Sequence, residues 1–287
     1  MTTPANHFYW DKLVNRQVAV WEAREQQRQL HPERMESPGE YAYITISRAY
    51  GALGYKIAEA IGSVLNWSVY SRELVEYICD TANIRQRVAE PFDERKRNKV
   101  ESWIASIVDP SSLAFDDYYR HLVRVIVTVA EHGHCVIVGR GANYILPPEH
   151  GLRVRITAPM DFRVRMIATR QNLSDKEARK LIQKKDHERA AFIKQNFHVD
   201  VRDTDGYDLV LNIANFSIEQ AFHIIIQSLQ TKLNIATPCL ATEPTLPRLS
   251  SLDDAQDPPD EEPSPETETK TETKTETETE SEIENVL

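Results

Sequence analysis

The sequence predicts an α/β fold in which a five-stranded parallel sheet carries helices on both faces. Three observations point there. Short apolar or alternating runs at 43–47, 67–70, 134–138, 152–157 and 208–212 are separated by longer stretches of helical period. Strands that alternate with helices imply a parallel sheet covered on both sides. The run His134-Cys-Val-Ile-Val-Gly139 is continuously apolar and ends in glycine, the pattern of a buried parallel strand. The third is Tyr43-Ile-Thr-Ile-Ser, which runs into a turn with Gly51 and Gly54 and then at once into an amphipathic helix. Backbone N–H groups at such a helix N-terminus face outward and suit an anion.

Each element follows in order. Phe8–Arg28 has the pattern of an amphipathic helix with Leu13, Val18, Val20 and Trp21 as apolar positions, ended by His31-Pro32 and Ser37-Pro38-Gly39. Packing against the domain or a second subunit is the expected use of that face. Tyr43–Ser47 is the first strand, and Gly54–Leu65 the first helix of the domain, with Ile57, Ile61 and Leu65 on one face. Trp67–Tyr70 is a short strand, Arg72–Thr81 a helix, and Phe92–Val108 a charged helix. Ser111 or Ser112 begins a turn before a long helix, Asp116–Glu131. Strands at 134–138 and 152–157 follow, then a helix through Arg163 and Arg170. Ser174-Asp-Lys-Glu177 is a capping box opening the next helix. Asp208–Asn212 is the fifth strand and Ile218–Leu229 the closing helix.

Charge divides the 287 residues unevenly. From Glu243 to Leu287 there are fifteen acidic residues against Arg248, Lys270 and Lys274, a local charge of −12. The chain total is −10, so residues 1–242 carry about +2 and the domain is near neutral. The Glu-Thr repeat of 266–280 has almost nothing to bury and is expected to be a disordered, solubilising appendage. The expected organisation is an N-terminal helical extension over 1–40, a domain over 41–235 and an acidic low-complexity tail over 236–287. Cys79, Cys135 and Cys239 have neither metal-ligand spacing nor an even count, which favours a reducing compartment. With no apolar leader and no run approaching ~18 apolar residues, a cytoplasmic protein is expected, without a membrane or nucleic-acid polymer as partner.

Ligands of such sheets bind beyond the carboxyl ends of the strands, and four polar features fall there. Ser47-Arg48 and the glycine turn follow the first strand, Ser71-Arg72-Glu73 the second and Gly139-Arg140-Gly141 the third. Arg163, Arg165 and Arg170 lie on the helix after the fourth. The next helix adds Lys184, Lys185, Asp186 and Arg189, several of which can share a face. Guanidinium groups bind phosphate through a planar fork, and phosphoryl transfer is chiefly positioning plus charge neutralisation. The cations of 176–189 alternate with Asp175, Glu177, Asp186 and Glu188, so a solvated, salt-bridged helix fits equally well. Arg163 and Arg165 fit a surface role too. Arg140, between two glycines after a buried strand, favours ligand contact, because a charge there needs a partner. A G-x-S-x-G elbow is absent, which excludes an α/β-hydrolase.

The ordered segments Ile44-Thr-Ile-Ser-Arg-Ala-Tyr-Gly-Ala-Leu-Gly, Val69-Tyr-Ser-Arg-Glu-Leu, Val136-Ile-Val-Gly-Arg-Gly-Ala-Asn-Tyr-Ile-Leu, Asn172 to Ala191 and Tyr207-Asp-Leu-Val-Leu-Asn together resemble the cytidylate kinase-like family over residues 42–230. The resemblance implies a three-layer P-loop NTPase-like fold with a five-stranded parallel sheet, a helical lid and a nucleotide-monophosphate-binding segment. It implies ATP with Mg2+ as phosphoryl donor and a nucleoside monophosphate, CMP or dCMP first, as acceptor. Ser47, Arg48, Ala49, Tyr50, Gly51, Ala52, Leu53, Gly54 and Tyr55 would cradle donor phosphates. Arg72, Gly139, Arg140 and Gly141 would serve the acceptor, and Lys185, Asp186 and Arg189 the lid. Arg48, Lys56, Arg163, Arg170 and Arg189 are the candidate catalytic cations. No metal ligand is assigned.

The loop departs from the ordinary cytidylate kinase pattern G-P-S-G-A-G-K-[GS]-T. Arg48 stands at the first glycine, Leu53 at another, Gly54 at the lysine and Tyr55 at the small residue after it. The resemblance implies that arginine at position 48 occurs elsewhere in the cytidylate kinase-like family, whereas Leu53 departs from the pattern. Arg48 or Lys56 is then expected to supply the missing positive charge from a different direction. The departures leave a second expectation open: a nucleotide-binding pseudokinase acting as a sensor or interaction module. A kinase for another small phosphate acceptor is the third.

Overall fold

A computed structural model describes residues 4–30, 41–92, 94–107 and 117–235. The expected turns at 31–39 and 111–112 and the acidic tail lie outside the described residues. Strand β1 (Tyr43–Arg48) pairs in parallel on both edges, Ile44 opposite Val136 of β3 (Cys135–Val138) and opposite Leu152 of β4 (Gly151–Thr157). β2 (Ser68–Tyr70) adds outside β3, and β5 (Leu209–Asn212) outside β4, giving the all-parallel order β2-β3-β1-β4-β5. This is the predicted sheet, and β1 lies at its centre.

Alternation along the central strands builds the two outer layers. Tyr43, Cys135 and Ile137 face one apolar cluster, which takes in helices α3 (Arg72–Asp80), α4 (Ala82–Ala89), α5 (Glu94–Ile107) and α6 (Asp117–Glu131). Ile44, Ile46, Val136 and Val138 face the other, against α2 (Gly54–Leu65) and α10 (Ile218–Leu233). A third, smaller cluster joins Tyr50 to Val164 and Ile167 of α8 (Met160–Gln171) and to Ala178 and Ile182 of α9 (Asp175–Phe197). The short helix α7 (Ala142–Ile145) links β3 to β4.

The N-terminal helix α1 spans Pro4–Leu30 and buries Val14, Val18 and Trp21 in the first cluster. Trp21 stacks on His132 with ring centroids 3.6 Å apart. Val20, expected on the apolar face, is instead 39% exposed. The i, i+4, i+7 set at 14, 18 and 21 defines a single stripe at 3.6 residues per turn, and Val20 falls about 100° off Trp21. Helix α4 was not expected; α10 runs one turn beyond Leu229. The capping box at Ser174 and Glu177 is present as predicted, and Ser217 with Gln220 forms a second at α10. Among the described residues no helix is long and apolar enough to cross a membrane.

Candidate functional site

β1 delivers Ser47 and Arg48 to the carboxyl edge of the sheet. The Ala49 N–H still bonds the Ile156 carbonyl at 3.0 Å, and a 3.2 Å bond from Ala52 N–H to the Ala49 carbonyl closes the turn. Leu53 caps α2 with φ 56° and offers no side-chain hydrogen bond to it. The helix that begins at Gly54 therefore has no side-chain acceptor from its cap residue, which suits an anion at its positive end. Arg48 lies in a channel made by missing side chains. A Cβ on Gly54 would stand 2.7 Å from the Arg48 Cβ, and one on Gly139, at φ 85°, would overlap the Arg48 guanidinium. Two glycines from separate elements thus let one arginine cross between β1, β3 and α2. Lys56, in the first turn of α2, is buried at 8% exposure.

Helices α8 and α9 close on this turn. Asp186 accepts from the Tyr50 N–H at 2.8 Å with one oxygen and from Arg163 Nη1 at 2.5 Å with the other. Arg163 is buried and also donates to the carbonyls of Ala158 (3.0 Å) and Tyr50 (3.2 Å). All of these contacts hold the turn and the helix pair together. Arg189 donates to the Arg48 carbonyl at 3.3 Å, with its guanidinium 5.2 Å from the centre of the Tyr50 ring. Gln171 donates to the Tyr50 hydroxyl at 3.1 Å. Lys185 is buried and lies 3.6 Å from the Glu188 carboxylate. Arg170 is half-buried in the last turn of α8, whereas Arg165 is exposed.

On the other side, Arg72 opens α3 behind the cap Ser71, whose hydroxyl accepts from the Leu74 N–H. Glu76, one turn on, accepts from Arg72 Nε at 3.2 Å and is ion-paired with Arg140. Arg140 has φ 51° between Gly139 and Gly141, and its guanidinium lies 4.9 Å from the Phe192 ring centre and 6.0 Å from that of Tyr118. Arg72 and Arg140 thus share one carboxylate inside an aromatic wall. Gly141 caps α7 in the left-handed conformation.

A third group was not foreseen. Arg155 of β4 donates to Ser47 Oγ at 2.9 Å and lies 5.5 Å from the Tyr207 ring centre, and the Tyr207 hydroxyl bonds that of Tyr144 at 3.2 Å. Burial, with the Tyr207 hydroxyl contact, pushes the Tyr144 phenol far above its usual range. It stays protonated at neutral pH. The alternation of Arg153 and Arg155 with apolar residues on β4 was the available signal. Among the described residues no group of three or more His, Cys, Asp or Glu could hold a metal ion.

The family model for the cytidylate kinase-like family matches residues 43–215. Among curated proteins the chain is similar to the cytidylate kinase of Methanopyrus kandleri, 27% identical over 118 residues, 38% of this chain and 61% of that protein. It is also similar to the cytidylate kinase of Methanocaldococcus jannaschii, 29% identical over 104 residues, 34% of this chain and 57% of that protein. The chain therefore spans less than two thirds of these relatives' length. A solved structure of an uncharacterized protein from Eubacterium ventriosum superposes with a TM-score of 0.51 at 21% identity, covering 67% of this chain and 99% of that one, and shares the fold. With a P-loop NTPase-like sheet, a glycine turn at its centre and a family match over more than half of its length, the chain belongs to the cytidylate kinase-like family.

Proposed function

We propose that this protein is a phosphotransferase that moves the γ-phosphoryl group of ATP onto a nucleoside monophosphate, CMP or dCMP first. The observation that carries this reading is the meeting of Arg48, Arg189 and the uncapped start of α2 at the carboxyl end of β1. An oxygen of the acceptor phosphate forms a bond to the γ-phosphorus, and the bond to the β,γ-bridging oxygen breaks. ADP and a nucleoside diphosphate are the products. The turn 47–55 and α2 would receive the donor phosphates, with Arg48 in place of the usual lysine. Arg72 and Arg140, oriented by Glu76, would receive the acceptor. Mg2+ is bound chiefly through substrate phosphates, water and one or two protein oxygens. Asp186, already hydrogen-bonded to the turn, has the chemistry for such a contact. The metal would neutralise phosphate charge during transfer.

Coupled ADP-release assays across CMP, dCMP, UMP and AMP test the reading. Turnover with one acceptor, lost in a turn variant, supports it; no turnover above that variant's background sinks it. Two features favour a second reading, a nucleotide-binding pseudokinase. Leu53 holds a left-handed position that glycine would fill, and the Tyr50 amide is already bonded to Asp186. Calorimetric affinity for nucleotide without turnover would select it. A kinase for another small phosphate acceptor would show in a wider substrate screen.

A further inference from the structure

Away from the glycine turn, helices α4, α5 and α6 enclose a groove of about 560 Å³. The buried Ile104 lies in it, and Arg85, Gln86, Glu101, Arg120, His121 and Arg124 are the polar residues that line it. The volume lies in the range of about 300–1,000 Å³ usual for small-molecule sites. Arg124 is paired with Glu101 at 2.8 Å. Among the described residues neither Arg85 nor Arg120 has a carboxylate partner. Ion pairing is otherwise the habit of this region: Lys96 and Lys99 of α5 reach Glu25 and Glu131 at 2.7 and 2.8 Å. Arginines gathered around one concavity repel one another unless an anion joins them.

The groove is separate from the acceptor arginines. Tyr118 of α6 faces Arg140. Arg120 and Arg124 follow two and six residues later, about 200° and 240° around the helix, on its opposite side. We propose that this groove is a second binding site, for a small phosphate monoester with a flat apolar body. The guanidinium forks take the phosphate, and the apolar surface at Ile104 takes the body. Charge and shape both select the ligand: Arg85 and Arg120 supply cationic forks, while Ala82, Ala89, Ile104 and Ala105 supply the apolar surface that a bare ion would leave unused.

The test follows the Ile104 methyl signal by NMR in the full chain, with AMP, adenosine and inorganic pyrophosphate as probes. The Ile156 methyl, beside Gly54, reports the glycine-turn site in the same spectra. AMP should move the Ile104 signal saturably, and adenosine should need about tenfold more or greater, since it lacks the charge-assisted contact. The double variant R85Q/R120Q, altered at side chains outside the core, should lose the Ile104 response and keep that of Ile156. An Ile104 signal that ignores AMP, or that responds equally in the double variant, overturns the proposal. So does a response to pyrophosphate as strong as that to AMP, which would mark a bare anion site, or a response to duplex DNA alone, which would mark a polyanion surface. Because Ile104 is read directly, the result stands whether or not phosphoryl transfer is observed.

Discussion

Arg48 is the side chain on which the proposed chemistry of the turn rests. It leaves β1 where the family's ordinary kinases have glycine, and Gly54 and Gly139 both make way for it. Removing one charge-assisted contact to developing phosphoryl charge typically costs about 2–4 kcal/mol, on the order of 10²–10³ in rate. Arg48→Ala should therefore cut phosphoryl transfer by that factor in a steady-state assay. Near-wild-type kinetics would assign the role to Lys56 or to α9. Arg140→Ala should raise the KM for the acceptor more than that for ATP, because Arg140 stands with Arg72 on the Glu76 side. Equal shifts in both constants would remove it from the acceptor site. Leu53 is the strained residue of the turn. A left-handed conformation costs a side-chain-bearing residue about 1–2 kcal/mol, against which Leu53 gains packing on the second cluster. Leu53→Gly should stay within about 1 kcal/mol of wild type by denaturant melting, whereas Leu53→Val, branched at Cβ, should be clearly less stable. Equal stability of the glycine and valine variants would contradict the strain.

The sheet was legible at the scale of elements because its signals are local. The Ser174–Glu177 box, the Gly51–Gly54 turn and the apolar run at 135–138 each carry their meaning within a few residues. Helix α4 was not legible: only Ile84 and Val88 of its eight residues are buried apolar side chains, too few to set a period. The site's cations were legible as residue types, but their partners were not. Glu76 meets Arg140 across 64 positions, and Asp186 meets Tyr50 across 136. Such pairings are created by the topology and leave no spacing in the sequence. The edge of the sheet gives a pH test of the same kind. Burial opposes ionisation of Asp208, yet hydrogen bonds from Arg153 of β4 and Lys232 of α10 hold its carboxyl below the usual range. A carboxylate with a depressed folded-state pKa contributes stability above its unfolded value of about 3.9 and loses it as pH falls through the folded value. Asp208→Asn should cost about 1 kcal/mol at pH 7, as for a partly exposed ion pair. The gap from wild type should close in melts taken below about pH 4. A gap independent of pH would mean that the carboxylate's charge is not what ties β5 to α10.

For the whole molecule, the acidity sits in the last 45 residues and the domain is near neutral. Segments with so little apolar surface contribute little to a core. A chain ending at Leu240 should keep its nucleotide affinity and lose no more than a few degrees of melting temperature. A larger drop would show that the tail is part of the fold.

The bond between Tyr50 and Asp186 bears on timing. Helix α9 is 23 residues long, about 35 Å at 1.5 Å per residue. It is fastened by a capping box at one end and by Phe197, set among Tyr119, Tyr144 and Phe192, at the other. Tyr50 belongs to the same apolar cluster as α8 and α9, so this helix pair cannot swing clear of the turn without stripping a buried ring and orphaning a backbone amide. In a phosphotransferase built this way, the parting of Tyr50 from its neighbours is a clock on every turnover. If the proposed phosphoryl transfer holds, nucleotide release is expected to wait on that rupture, however fast the phosphoryl group itself has moved.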